Sequence, residues 1–106
     1  MDSFGLIGSL NPAALTETEF IVCPTDHEYQ GTVRICNIDS VEITYRLAHT
    51  DITGAATSED WDVYDAPLGV GEVDDITMEM GENETLRVYA STANVSFKYS
   101  GLDINA

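Results

Sequence analysis

The side chains best suited to nucleophilic, acid–base or soft-metal chemistry in this 106-residue sequence are Cys23, Cys36, His27 and His49. A structural zinc is normally gripped by closely spaced ligand pairs such as C-x2-C, and these four residues offer no such pair. Both histidines fall in or beside polar, loop-like stretches, with no serine or cysteine motif next to them. They read as surface histidines rather than as general bases. The cysteines lie near the end of one apolar run and within a later one, where they can be cross-strand neighbours. Small thiols in or near a core are the expectation for a reducing compartment.

The carboxylates Glu59, Asp60, Asp62 and Asp65 flank Trp61, with Asp74 and Asp75 downstream. Clustered oxygens suit a hard cation such as calcium, but the central glycine and terminal glutamate of an EF-hand loop are missing. Solvated loop charge is the simpler reading. Trp61, Tyr64 and Tyr89 suggest a sugar site, since aromatic faces stack on sugar rings and the neighbouring carboxylates can accept sugar hydroxyls. A single tryptophan at a strand end also packs under a loop. No glycine-rich phosphate loop is present. The triplets Asn83-Glu84-Thr85 and Asn94-Val95-Ser96 match the glycosylation pattern, which has meaning only after export. The sequence therefore predicts no catalytic residue, no cofactor and no metal ligand, and the protein is read as a non-enzyme.

Composition sharpens that exclusion. Nineteen acidic residues face four basic ones, a formal net charge of -15. Nucleic acid and anionic membranes reward clustered Lys and Arg, so neither is expected as a partner. No apolar run is long enough to span a bilayer as a helix. Asp2 stands where a signal peptide would carry basic residues, and Gly5, Gly8 and Pro12 interrupt the following apolar stretch, so use without export is expected.

The elements that would position these side chains are strands. Val33 and Ile35 alternate with Arg34 and Cys36, and Val41, Ile43, Tyr45 and Leu47 alternate with Glu42, Thr44 and Arg46. Strict alternation sends successive side chains to opposite faces. With turn-formers Asn37 to Ser40 between them, residues 31–50 read as an antiparallel hairpin with one apolar face. Shorter runs appear at Phe20–Cys23 and Trp61–Tyr64, and alternating ones at 72–80, 86–90 and 95–99. Residues 51–60, around Gly54, read as a loop. About seven strands at this spacing, with no apolar stripe of helical period, predict an all-β, antiparallel two-sheet sandwich of Ig-like or jelly-roll-like type. Arg34, Arg46 and Lys98 fall on polar strand faces, where they can pair with carboxylates.

Residues 1–18 fit neither period. Phe4, Leu6, Ile7 and Leu10 read as anchors on an extended N-terminal arm that precedes a sandwich domain at 19–106. Such an arm either covers its own domain or binds a partner, and these four residues are the candidate partner contacts. Deleting residues 1–14 is then expected to leave the domain folded.

The runs Phe20 to Pro24, Val33 to Asn37 and Val41 to Leu47, followed by Tyr64 to Leu68, Glu84 to Ala90 and Ala93 to Phe97, resemble small β-sandwich virion proteins of tailed phages. The resemblance spans residues 15–103. It is carried by strand and turn signals rather than reactive groups, and it brings no catalytic residues with it. It implies a capsid decoration (cement) protein on the virion surface, made in the host cytoplasm and bound to the major capsid protein and to copies of itself as a homo-trimer. A tail or baseplate component and a carbohydrate-binding sandwich are the alternatives.

Overall fold

A computed structural model describes residues 2–51 and 56–105. Gly54 and its neighbours in the expected 51–60 loop lie outside them. Eight strands run in order: β1 (Ser3–Leu10), β2 (Thr18–Val22), β3 (His27–Asn37), β4 (Ile43–Thr50), β5 (Trp61–Leu68), β6 (Val73–Met80), β7 (Thr85–Ala90) and β8 (Val95–Asn105). The period-2 signal is obeyed most closely where both layers bury it. Val95, Phe97 and Tyr99 of β8 are buried, while Ser96 and Lys98 between them are half-buried and exposed, respectively.

The strands form two four-stranded sheets, β1-β8-β3-β6 and β2-β7-β4-β5, and all strand pairings are antiparallel. Apart from β4 to β5, each connection carries the chain from one sheet to the other. This is the strand order of a jelly roll, two interleaved Greek keys, so of the two sandwich types expected, the jelly roll is the one formed.

Two expectations need correction. The 31–50 stretch is not a hairpin, because β3 and β4 lie in different sheets. Alternation cannot distinguish paired strands from strands in facing layers, since both turn an apolar face to one core. Asn37 redirects the chain. Its Oδ1 accepts from the Asp39 amide at 2.8 Å, and its side-chain amide donates to the carbonyls of Val41, Leu68 and Gly69 at 2.9–3.1 Å.

The leader is extended, as expected, but it is docked. Ser3 to Leu10 pairs with β8 from Asp103 to Phe97, with a bulge at Ile7. Ile7 and Leu10 pack against the core. Removing residues 1–14 therefore deletes a sheet edge and uncovers core, so the truncated chain is expected to lose stability. At the other terminus β8 runs on to Asn105, beyond the alternating run at 95–99.

The core is continuous between the sheets. Phe97 meets Tyr45 edge-on, with ring centroids 6.2 Å apart, and Phe20 from a third strand at 6.4 Å. Each fully buried large side chain of this kind contributes roughly 1.5–3 kcal/mol. The two most deeply buried tyrosines are satisfied: Tyr99 donates to the Met78 carbonyl and Tyr45 to Asp74, each at 2.7 Å. Gly31 and Gly101 pair across β3 and β8. A Cβ on either would run into the opposite strand's backbone, so this crossing requires both glycines.

Candidate functional site

Because chain direction reverses at every strand, the loops sort to two ends. At one end lie the turns after β1, β3, β5 and β7. They are tied together by the Asn37 amide, by Ile38 N–H to the Asn94 carbonyl at 3.1 Å and by Leu15 N–H to the Ala90 carbonyl at 2.9 Å. At the other lie the turns after β2, β4 and β6. Cys23 N–H donates to the Glu84 carbonyl at 2.9 Å, and Asn83 N–H to the Cys23 carbonyl at 2.7 Å.

The second end holds both histidines and many acids. His27 Nδ1 lies 2.7 Å from Asp103, and His49 Nε2 lies 2.8 Å from Glu84. Glu84 also accepts the Gly81 amide at 2.6 Å. Partial burial pushes the Glu84 carboxyl upward, but the Gly81 amide and His49 together hold it below the usual range. An open depression of about 450 Å³ is lined by His49, Thr50, Asp51, Glu59, Asp60 and Glu84.

Cys23 is fully buried beside His27, and its Sγ donates to the His27 carbonyl at 3.3 Å. Burial, followed by the charges of Asp103, Glu84 and Glu28, pushes its thiol up to about 11. It stays protonated at neutral pH and is no nucleophile. Cys36 lies at the far end of β3, roughly 30 Å away at 3.3 Å per strand residue, so the two thiols share neither a metal nor a bond. Both are free. Among the described residues no three His, Cys, Asp or Glu side chains converge as metal ligands.

The carboxylates weighed for calcium are dispersed. Asp65 is held by Arg46 at 2.6 Å, Asp75 by Arg34 at 2.9 Å, Asp74 by Tyr45, and Asp60 by the Thr57 amide and hydroxyl. Arg87 pairs with Glu17. Lys98, expected to pair likewise, has no carboxylate within ion-pair reach among the described residues.

Trp61, Tyr64 and Tyr89, far apart in sequence, do meet on the outer face of the second sheet. Arg46 joins them, its guanidinium 4.2 Å from the Tyr64 ring, 4.1 Å from Tyr89 and 5.9 Å from Trp61. A bulge in β5 sets two residues, Tyr64 and Asp65, opposite Arg46 alone, with Asp65 at φ 51°. One ring and one carboxylate therefore reach the same cation. Arg46 covers a face of each tyrosine, which removes two of the surfaces a sugar would stack on. Nothing in the sequence singled out Arg46 as the hub, because the bulge that assembles it depends on strand register.

Exposed apolar side chains gather in two places, with Val22 and Tyr64 exposed elsewhere. At the first end, Leu15, Ile38, Val41 and Val70 are each more than half exposed. Along β1, Phe4 is 86% and Leu6 63% exposed. The four leader residues singled out from sequence thus divide, with Ile7 and Leu10 serving the core and Phe4 and Leu6 facing solvent.

Fold and surface together define a jelly-roll sandwich whose distinctive surfaces are an apolar loop end, an acidic end and an uncharged edge. Comparison with known protein families and with characterised proteins finds no match.

Proposed function

We propose that this chain is a non-enzymatic structural protein that binds a larger protein shell, as a capsid decoration protein of a phage particle does. One observation carries the reading: three loops of one end expose Leu15, Ile38, Val41 and Val70 to water while the opposite end is acidic. A sandwich built this way stands on a surface with its apolar end down, and its acidic end keeps it apart from other acidic surfaces. Jelly rolls occur in viral capsid proteins and in lectins, so the choice between such roles rests on surface chemistry.

The histidines support the same reading. Each is engaged by a carboxylate in an open setting, and the neighbouring thiol is buried and protonated. The test is the copy number of the protein in purified particles, for wild type and for Val41→Asp with Val70→Asp. Capsid-scale copy number that falls at least tenfold in the double variant supports the reading. Absence of the wild-type chain from particles overturns it, and a copy number of tail scale moves it to a tail or baseplate component.

A carbohydrate-binding role is favoured by the gathering of Trp61, Tyr64 and Tyr89 on one face. Glycan binding that disappears in Trp61→Ala would establish that role instead.

A further inference from the structure

An open sandwich has four edge strands, here β1 and β6 on one sheet and β2 and β5 on the other. Each presents unpaired backbone N–H and C=O groups, a template for a strand from another chain. Natural edges are guarded by charge, proline, bulges or short length. Three of these edges are guarded in that manner. β6 carries Asp75 and Glu79, together with the carboxylate of Asp74, which turns to Tyr45. β5 carries Asp62, Asp65 and Pro67 and is bulged twice. β2 is five residues long, bulged, and carries Glu19.

β1 differs. Its eight residues, SFGLIGSL, include no charge and no proline, and its single irregularity lies at Ile7, leaving Ser3 to Leu6 regularly paired to β8. Phe4 and Leu6, the strand's most exposed large side chains, stand on the outer face, where Leu102 of β8 pairs with Phe4 and extends the apolar surface.

We propose that the free edge of β1 is where two copies of this chain pair, antiparallel about a twofold axis, joining their β1-β8-β3-β6 sheets into one. Charge selects the occupant. At a net charge of -15, contact between copies through most of the surface brings carboxylates together. β1 offers an apolar, uncharged strand to its own equal. A basic foreign strand finds no carboxylate on β1 to attract it and is drawn to the acidic faces instead. A twofold axis also runs the two strands in opposite directions, so Asp2 of one copy lies beside the uncharged residues of the other strand and away from the other Asp2. The inference does not depend on binding to a shell, and it replaces the threefold arrangement implied by resemblance with a twofold one.

The test is sedimentation equilibrium of the full chain over a concentration and salt series. A species of twice 11.5 kDa is expected, and its population should rise with salt as repulsion between the copies is screened. Leu6→Lys should weaken dimerisation at least tenfold, although it makes the net charge less negative and so lowers general repulsion. Val70→Lys, which makes the same change in charge at the loop end, should not weaken the dimer. As a measurement that needs no variant, β1 amides of the wild type should exchange more slowly as concentration rises. A monomer throughout, a trimer, a dimer indifferent to Leu6→Lys, or β1 exchange independent of concentration would each overturn the proposal. Self-pairing is read from sedimentation and shell binding from copy number in particles, so failure of one is distinguishable from failure of the other.

Discussion

The two ends of this sandwich are made from the same kind of element, short turns between antiparallel strands, yet they solve opposite problems. At the end holding Ile38, Val41 and Val70, one buried side chain does the organising: the Asn37 amide supplies hydrogen bonds to three carbonyls from two turns. The valines and isoleucine are left outside, serving no internal contact that explains their exposure. At the end holding His27 and His49, side-chain charges do the organising: His49–Glu84 ties a turn to a strand, and His27–Asp103 ties β3 to β8. The difference teaches that exposed apolar residues here are not a shortage of core. The core is complete without them, so their surface is available to something else.

The largest expected effect comes from the clamp. Asn37→Ala removes the donor and strands buried carbonyls, so we expect a loss of about 2–4 kcal/mol in denaturant-induced unfolding. A loss below about 1 kcal/mol would show that the turns hold themselves and would break the contrast between the ends.

The acidic end should answer to pH on both the alkaline and the acid side. In the folded chain the Cys23 thiol stands at about 11, against an ordinary 9.0. A raised folded value means its contribution is fully present below pH 9 and is lost as pH climbs toward 11, an effect of about 3 kcal/mol. Cys23→Ala should therefore flatten the decline in stability across that window, measured by denaturant midpoints at stepped pH. An unchanged decline would assign it to the buried tyrosines, whose phenols burial also raises. Glu84 has the opposite sign: its carboxyl is held low, so its contribution is present above the ordinary carboxylate range and is lost as pH falls through the depressed value.

The smallest effect is expected at the apolar end itself. Val41→Asp and Val70→Asp replace exposed side chains and should each change stability by less than about 0.5 kcal/mol. A larger loss would mean that these residues serve the fold.

Much of this architecture is legible in the residues. Alternation through Val33, Ile35, Leu86, Val88, Val95, Phe97 and Tyr99 announces strands because each is buried on one face and wet on the other. Sheet membership is not legible, since strands in facing layers carry the same pattern. β1 is obscured for a different reason: at an edge, with glycines and a bulge, burial no longer alternates, and the run looks like an irregular arm. Val41 misleads in the other direction, continuing the alternation of β4 while standing 53% exposed before the strand begins. The cluster around Arg46 is hidden because a bulge, not spacing, sets Tyr64 and Asp65 against it.

Amide hydrogen exchange of the protein free and bound to purified particles tests the central claim most directly. Protection on binding should appear in residues 38–42 and 69–72 and be absent from 81–84. Protection confined to 81–84 and the histidine end, or none at either end, would contradict it.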